Sequence, residues 1–475
     1  MRGKPGRPKA GESEALSGPH SVTCGWPKGF RQPERIRRGV LIVPSPGDPI
    51  RILIVHMRYA PDATGTAPIV TQLAKDLARA GDQVTVVTSA PHYGRDHVPA
   101  EYRGWMLHTS MEDEVRVVRT LAAGFSPGSL AGRLVNYGLY TLLSAVAAWR
   151  ALPVDVVLAV APPITVGFTG WFASRLGRTT FVYNAQDIWP DGLIKMGRLS
   201  WRPLITAFRW LERSIYRLAA CVTVVSDGMR DNLVARGIPP SSVVVLPNWI
   251  DTAFIHPRAG PTAFRSAHHL DESFLVMFAG NLGYAAGLDL VIELAAILER
   301  EPKVRVVLVG EGSARPGLQK KAADAGLGNL LFFPTQPDDS LADLLASADI
   351  GLVTLRKGMG DLSVPSKTYA YMAAARPVLA AVPGDSEVRR IIEQAECGEW
   401  IEPEEPQALA EAVGRLMADR ARRHAMGVKG RRWVEEHNSR TFLTASYRKL
   451  LHDIAQRRGN PPSSSWGLRK RGGLR

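Results

Sequence analysis

Arg51-Ile52-Leu53-Ile54-Val55-His56-Met57-Arg58-Tyr59-Ala60-Pro61-Asp62-Ala63-Thr64-Gly65-Thr66 opens the first organised stretch of the sequence and sets its fold class. Residues 52–55 form a continuous apolar run, as expected of a strand covered on both faces of a parallel sheet. Ile69, Val70, Leu73, Ala74, Leu77 and Ala78 then recur at helical spacing, Gly81 supplies a stop, and residues 84–87 form a second β-rich run. Strand, helix and strand in that order predict a βαβ unit with a crossover helix.

The pattern continues outward. Residues 154–160, 179–183, 221–225 and 243–246 read as further strands, separated by helix-like pieces such as 203–219. After Asn248-Trp249-Ile250-Asp251 a second cycle begins, with strands expected at 274–279, 304–309, 330–333, 349–354 and 377–382. Ser340 and Asp343 have capping-box spacing and predict a helix start there. Residues 428–456 read as a long closing helical segment. The economical architecture is α/β, with two Rossmann-like halves joined near residue 250.

Composition bounds the rest. The chain has 475 residues, 45% apolar and 22% charged, which excludes a small disulfide module and general disorder. Cys24, Cys221 and Cys397 have no metal-ligand spacing, so no metal site and a reducing compartment are expected. The net charge of +14 resides mostly in the ends: residues 1–50 carry nine Lys/Arg against four acids, and residues 457–475 carry six Lys/Arg and no acid. The body is therefore nearly balanced, which argues against nucleic acid as the main partner. Residues 1–49 read as a disordered basic extension, consistent with a start codon assigned upstream of the true one, and 457–475 as a disordered basic tail. The first segment lacks the apolar core of an export signal. The longest uncharged stretch, 134–149, is too short and polar for a membrane span.

In doubly wound sheets ligands sit beyond the carboxyl ends of the strands, so the loops after each strand carry the chemistry. Gly65 and Thr66 open onto a helix N-terminus, where free amides favour an anion. Asn184-Ala185-Gln186-Asp187-Ile188-Trp189-Pro190-Asp191-Gly192 sets two carboxylates beside an indole, a set suited to sugar hydroxyls and a sugar ring. In the second half, one strand runs into Gly280-Asn281-Leu282-Gly283 and the next into Gly310-Glu311-Gly312. Glycines there let phosphates approach the backbone. Neither loop completes GxGxxG, because Arg315 stands at the third glycine, and this counts against a dinucleotide. Arg356 and Lys367 flank a loop-to-helix transition beside Ser366, and together are expected to clamp a diphosphate and neutralise a leaving group.

With these loops in place the chain resembles the family-four retaining glycosyltransferases of the GT-B fold, in the branch of colanic-acid and O-antigen fucosyl and N-acetylfucosaminyl transferases. The resemblance covers about residues 51–456. It is carried by residues 59–65, 186–191, 246–251, 278–283, 309–312 and 364–378 in that order. It implies two Rossmann-like domains facing a central cleft, 50–250 holding a lipid-linked or saccharide acceptor and 251–456 a UDP- or GDP-sugar donor. Asp187, Arg356 and Lys367 are the implied catalytic set. Gly65, Thr66, Gly280, Asn281, Gly283, Gly310, Glu311, Gly312, Ser366 and Lys367 are the implied donor contacts, with Trp189 and Asp191 on the acceptor. No metal and no cofactor are implied. Front-face attack, with the departing phosphate taking the acceptor proton, would make a dedicated base unnecessary.

The chain departs from the family pattern at two places. Leu362 and Ala370 occupy the positions of the E-x7-E carboxylates, and Asn281 with Tyr284 or Ala286 occupies those of the loop cations, so Arg356 and Lys367 would have to compensate. A catalytically impaired member and a sugar-nucleotide epimerase on the same scaffold are the alternatives. The segment 201–217 combines Trp, Phe and Arg at helical spacing, and fits either an interface helix on anionic lipid or a helix packed on the sheet with its arginines in water. A cytoplasmic protein attached peripherally to the inner face of the membrane is the expectation.

Overall fold

A computed structural model of the protein describes residues 48–62, 65–91, 98–122, 130–188, 190–195, 199–258, 260–360 and 364–456. The first half runs β1 (Arg51–Val55), α1 (Ala67–Arg79), β2 (Gln83–Ser89), β3 (Leu107–Glu112), β4 (Val115–Thr120), α2 (Leu130–Arg150), β5 (Val156–Val160), α3 (Val166–Leu176), β6 (Thr180–Ala185), α4 (Asp191–Lys195), α5 (Arg202–Leu218), β7 (Cys221–Val224), α6 (Asp227–Ala235) and β8 (Val243–Val245). The strands form one sheet in the order β3-β4-β2-β1-β5-β6-β7-β8, parallel except for β3. All five residues of β5 are buried, as two-sided coverage by helices requires.

The second half runs α7 (Ala263–Ala267), β9 (Phe274–Ala279), α8 (Asp289–Ile297), β10 (Val304–Val309), α9 (Arg315–Asp324), β11 (Leu330–Phe333), α10 (Leu341–Ala346), β12 (Ile350–Thr354), α11 (Lys367–Ala373), β13 (Val378–Ala381), α12 (Glu387–Ala395), β14 (Gly398–Ile401), α13 (Pro406–Ala418), α14 (Arg420–His437) and α15 (Arg440–Gln456). Its sheet has the order β11-β10-β9-β12-β13-β14, all parallel. In each sheet the chain order reverses next to the first strand, between β1 and β5 and between β9 and β12. A crevice opens at such a reversal beyond the carboxyl ends of the strands.

Those carboxyl edges face each other. Asp227, just past β7, lies 3.9 Å from Arg390 on α12, which follows β13. At the hinge the chain crosses twice, side by side: Ile250 donates to the Asn438 carbonyl at 2.9 Å and Arg440 to the Ile250 carbonyl at 3.0 Å.

The closing segment is two helices, broken at Asn438 and Ser439, and α15 returns to the first half. Its apolar face joins the β1–β2 core through Leu443, Tyr447, Leu450 and Leu451. Arg440 bridges Asp76 at 2.7 Å and Asp251 at 2.8 Å. Arg448 and His452 meet the fully buried Asp82 carboxylate at 2.8 and 2.9 Å. The expected capping box at Ser340 does not form. The Ser340 hydroxyl donates to Pro337, and Asp343 instead accepts from the Ala263 and Phe264 amides, capping the start of α7 from another element.

Candidate active site

On the first sheet, β1 ends in a loop held by a buried histidine. His56 Nδ1 lies 2.8 Å from the Val160 carbonyl at the end of β5, and its Nε2 lies 2.8 Å from Thr66 Oγ1. A carbonyl only accepts, so Nδ1 carries the proton. Burial pushes His56 down to about 4, which keeps the ring neutral and leaves Nε2 as an acceptor. The Thr66 hydroxyl therefore donates inward and presents only lone pairs to the cleft. An anion at this loop would meet backbone amides rather than the hydroxyl. Gly65 has φ +65, and a Cβ there would sit 3.2 Å from Arg58 Nη1.

Asp187 follows β6. The residue is exposed yet its carboxyl is crowded by protein, and loss of hydration pushes that carboxyl up to about 6. Its neighbours in sequence are committed to structure. Gln186 Nε2 donates to Asn184 Oδ1 at 2.7 Å, Asn248 Nδ2 to Gln186 Oε1 at 2.8 Å, and Asn184 Nδ2 to Tyr447 Oη at 2.9 Å. This network ties β6 to the hinge and to α15. Asp191 starts α4 and pairs with Arg236 and Arg209, so its carboxylate joins α4 to α5 and α6. Trp189 and Leu362 lie outside the described residues. Sequence reading passed over the loop 161–165, which follows β5 at the strand reversal; its prolines directly after a strand were the available signal.

On the second sheet the two glycine loops are laced together. Leu282 donates to the Glu311 carbonyl and Ala314 to the Leu282 carbonyl, each at 2.9 Å. A Cβ on Gly310 would lie 2.1 Å from the Gly280 oxygen, and one on Gly312 would lie 2.4 Å from the Leu282 oxygen. These glycines are required by the approach of one loop to the other, in addition to any phosphate. Gly280 and Asn281 remain exposed at the tip, with Gly283 behind the Asn281 amide. Glu311 points outward and pairs with Arg315.

Ser366 precedes α11 without capping it, and Lys367 is the first helical residue. The Lys367 ammonium lies 3.2 Å from the centroid of Phe278, and a Cβ on Gly280 would be 3.4 Å from Nζ. The desolvated position pushes Lys367 down to about 7. In its protonated form it is a cation resting on an aromatic face beside the glycine loops. Arg356, beyond β12, lies on the Tyr284 ring at the other end of the 280–287 loop, 3.6 Å from Asp289. Lys367 and Arg356 flank that loop rather than touching each other's anchors. Ala370 leaves no carboxylate at its turn of α11.

Comparison with known proteins agrees with this geometry. Residues 64–249 match the glycosyl transferase 4-like domain and residues 261–433 match the glycosyl transferases group 1 model. The putative colanic acid biosynthesis glycosyl transferase WcaI of Escherichia coli is 28% identical over 380 residues, spanning 77% of this chain and 91% of the relative. Among solved structures, sucrose-phosphate synthase from Thermosynechococcus elongatus superposes with a TM-score of 0.68 at 18% identity, over 85% of this chain and 99% of the other. HepE of Anabaena in complex with UDP and glucose gives 0.65 at 17% identity, over 85% and 100%.

Proposed function

Since the chain is a GT-B glycosyltransferase of the hexosyltransferase type, we propose that it transfers a sugar, with retention, from a UDP- or GDP-sugar to a lipid-linked or saccharide acceptor in cell-surface polysaccharide synthesis. The observation that carries the reading is the Lys367 ammonium lying without an ion-pair partner among the described residues beside Gly280, where two interlocked glycine loops end at the strand reversal. A donor pyrophosphate there meets the backbone amides of Asn281, Glu311 and Gly312, the Gly280 and Gly310 amides being bonded to the Val309 and Phe333 carbonyls, with Lys367 and Arg356 neutralising the leaving group. Gly65 and the first turn of α1 approach the phosphates from the opposite sheet, and Thr66 receives a hydroxyl hydrogen. Asp187 holds the acceptor hydroxyl. Asp191 acts on the acceptor through the placement of α4.

The same reading puts the enzyme on the inner face of the cytoplasmic membrane. No helix among the described residues is long and apolar enough to cross a membrane. Val135, Leu142, Val146 and Trp149 form one exposed stripe on α2, followed across the packed helices by Phe172 and Leu176 on α3, by Trp201 just before α5 and by Trp210 on it. Arg202, Arg209, Arg213 and Arg217 border it, and the single acid of α5, Glu212, is buried against Arg236. An apolar, basic face of this kind suits anionic headgroups.

The test is transfer from radiolabelled sugar nucleotides to polyprenyl-linked acceptors, with the product anomer read by NMR. Retained configuration supports the proposal. An inverted product refutes retention, and a sugar altered in the absence of acceptor makes the protein an epimerase.

A further inference from the structure

A loop that receives a diphosphate through its amides needs a cation to balance two negative charges, and residues 280–288 contain neither Lys nor Arg. The end of β12 supplies one. The Arg356 amide donates to the Ala285 carbonyl at 2.9 Å and its Nε to the Tyr284 carbonyl at 3.3 Å. Two residues earlier, the Thr354 hydroxyl donates to Ala286 at 2.6 Å. Gly287 permits the strapping: its φ is +62, and a Cβ there would lie 3.3 Å from the Arg356 backbone. The guanidinium carbon then sits 3.9 Å from the centroid of Tyr284. Stacking on the ring fixes the plane of the guanidinium and the Nε bond to the Tyr284 carbonyl fixes its rotation within that plane, so its remaining N–H edges point in fixed directions. Its counterion is Asp289, half exposed and shared with Lys321 at 2.7 Å. Such a solvated pair is weak enough for a diphosphate to replace.

We propose that Tyr284 is a positioning residue for the donor pyrophosphate: its ring holds the Arg356 guanidinium over the β9 loop, so that a cation from β12 serves a loop that has none, with Asp289 as the counterion the donor displaces. The proposal rests on the donor site described above.

Calorimetric titration of the full chain with UDP and with GDP tests it. Tyr284→Ala weakens binding roughly two- to fivefold, the worth of an exposed cation–π contact, whereas Tyr284→Phe binds as the wild type does. Arg356→Ala weakens binding roughly tenfold or more, as loss of a charged hydrogen bond does. Asp289→Asn tightens it. Adding Tyr284→Lys to Arg356→Ala returns most of the lost affinity, which a merely structural tyrosine would not allow. If Lys367→Ala impairs binding while Tyr284→Ala and Arg356→Ala do not, the donor site stands and this proposal falls. If the wild type binds neither nucleotide, the donor reading fails and takes the proposal with it.

Discussion

Donor affinity should fall steeply above neutral pH, and the cause is Lys367. Its ammonium is desolvated against Phe278 and titrates at about 7 in the free protein. A bound pyrophosphate favours the charged form and raises that value. The tighter-binding species is therefore the protonated one, and binding is lost as pH rises above 7 towards the bound pKa. The diester pyrophosphate of a sugar nucleotide keeps both charges throughout. Between about pH 6 and 8.5 the fraction of protonated lysine in the free protein falls about thirtyfold, and affinity follows it. At about pH 8, binding takes up about nine-tenths of a proton. The assay is calorimetry in two buffers of different ionisation enthalpy, where the slope of observed heat against buffer enthalpy counts protons. Lys367→Arg should bind with a flat pH profile and no proton uptake, since a guanidinium stays charged. A wild-type profile as flat as that of Lys367→Arg would mean that Lys367 does not titrate in this range when the donor binds.

Three further outcomes are expected. Asp187→Asn raises the acceptor KM by roughly tenfold, as loss of a charged hydrogen bond does, and removes the acid limb of the rate profile; in the wild type that limb falls below about pH 6, because the carboxylate is the form that accepts the hydroxyl. Gly310→Ala, which drives a methyl group to 2.1 Å from the Gly280 oxygen, lowers stability by at least ~2 kcal/mol in thermal unfolding, whereas Gly283→Ala meets only the adjustable Asn281 side chain at 3.3 Å and stays near neutral. Arg448→Met leaves the fully buried Asp82 carboxylate without its arginine and costs about 3–5 kcal/mol in unfolding free energy; a loss under ~1 kcal/mol would show that His452 suffices.

The strands were legible wherever burial on both faces made them continuous apolar runs, from Ile52 to Ala381. The β3–β4 hairpin was not, because β3 is a half-exposed edge whose Leu107, His108, Thr109, Ser110, Met111 and Glu112 carry no strong pattern. Nor was the return of α15. Its amphipathic spacing announced a helix, but whether that face covers the nearer or the farther sheet depends on Asp76 and Asp82, more than 350 residues away in the chain. The glycine loops were found for one reason and are required for another, since contact between loops leaves no local trace in sequence. Asp187 and Asp191 stand in one motif, and nothing local to it tells an exposed carboxylate from one held by two arginines; only the fold does. The charge on Arg356 was visible, but its seat on Tyr284 was not, because residues 72 apart meet only when β9 and β12 pair.

The interlocked glycine loops and Lys367 are proposed to receive the donor pyrophosphate. A crystal structure of the full chain with UDP tests this most directly. Pyrophosphate oxygens should lie within hydrogen-bond reach of the Asn281 amide and of Lys367 Nζ, with the ammonium lifted from Phe278. A pyrophosphate bound elsewhere, with Lys367 still on the ring, would contradict it.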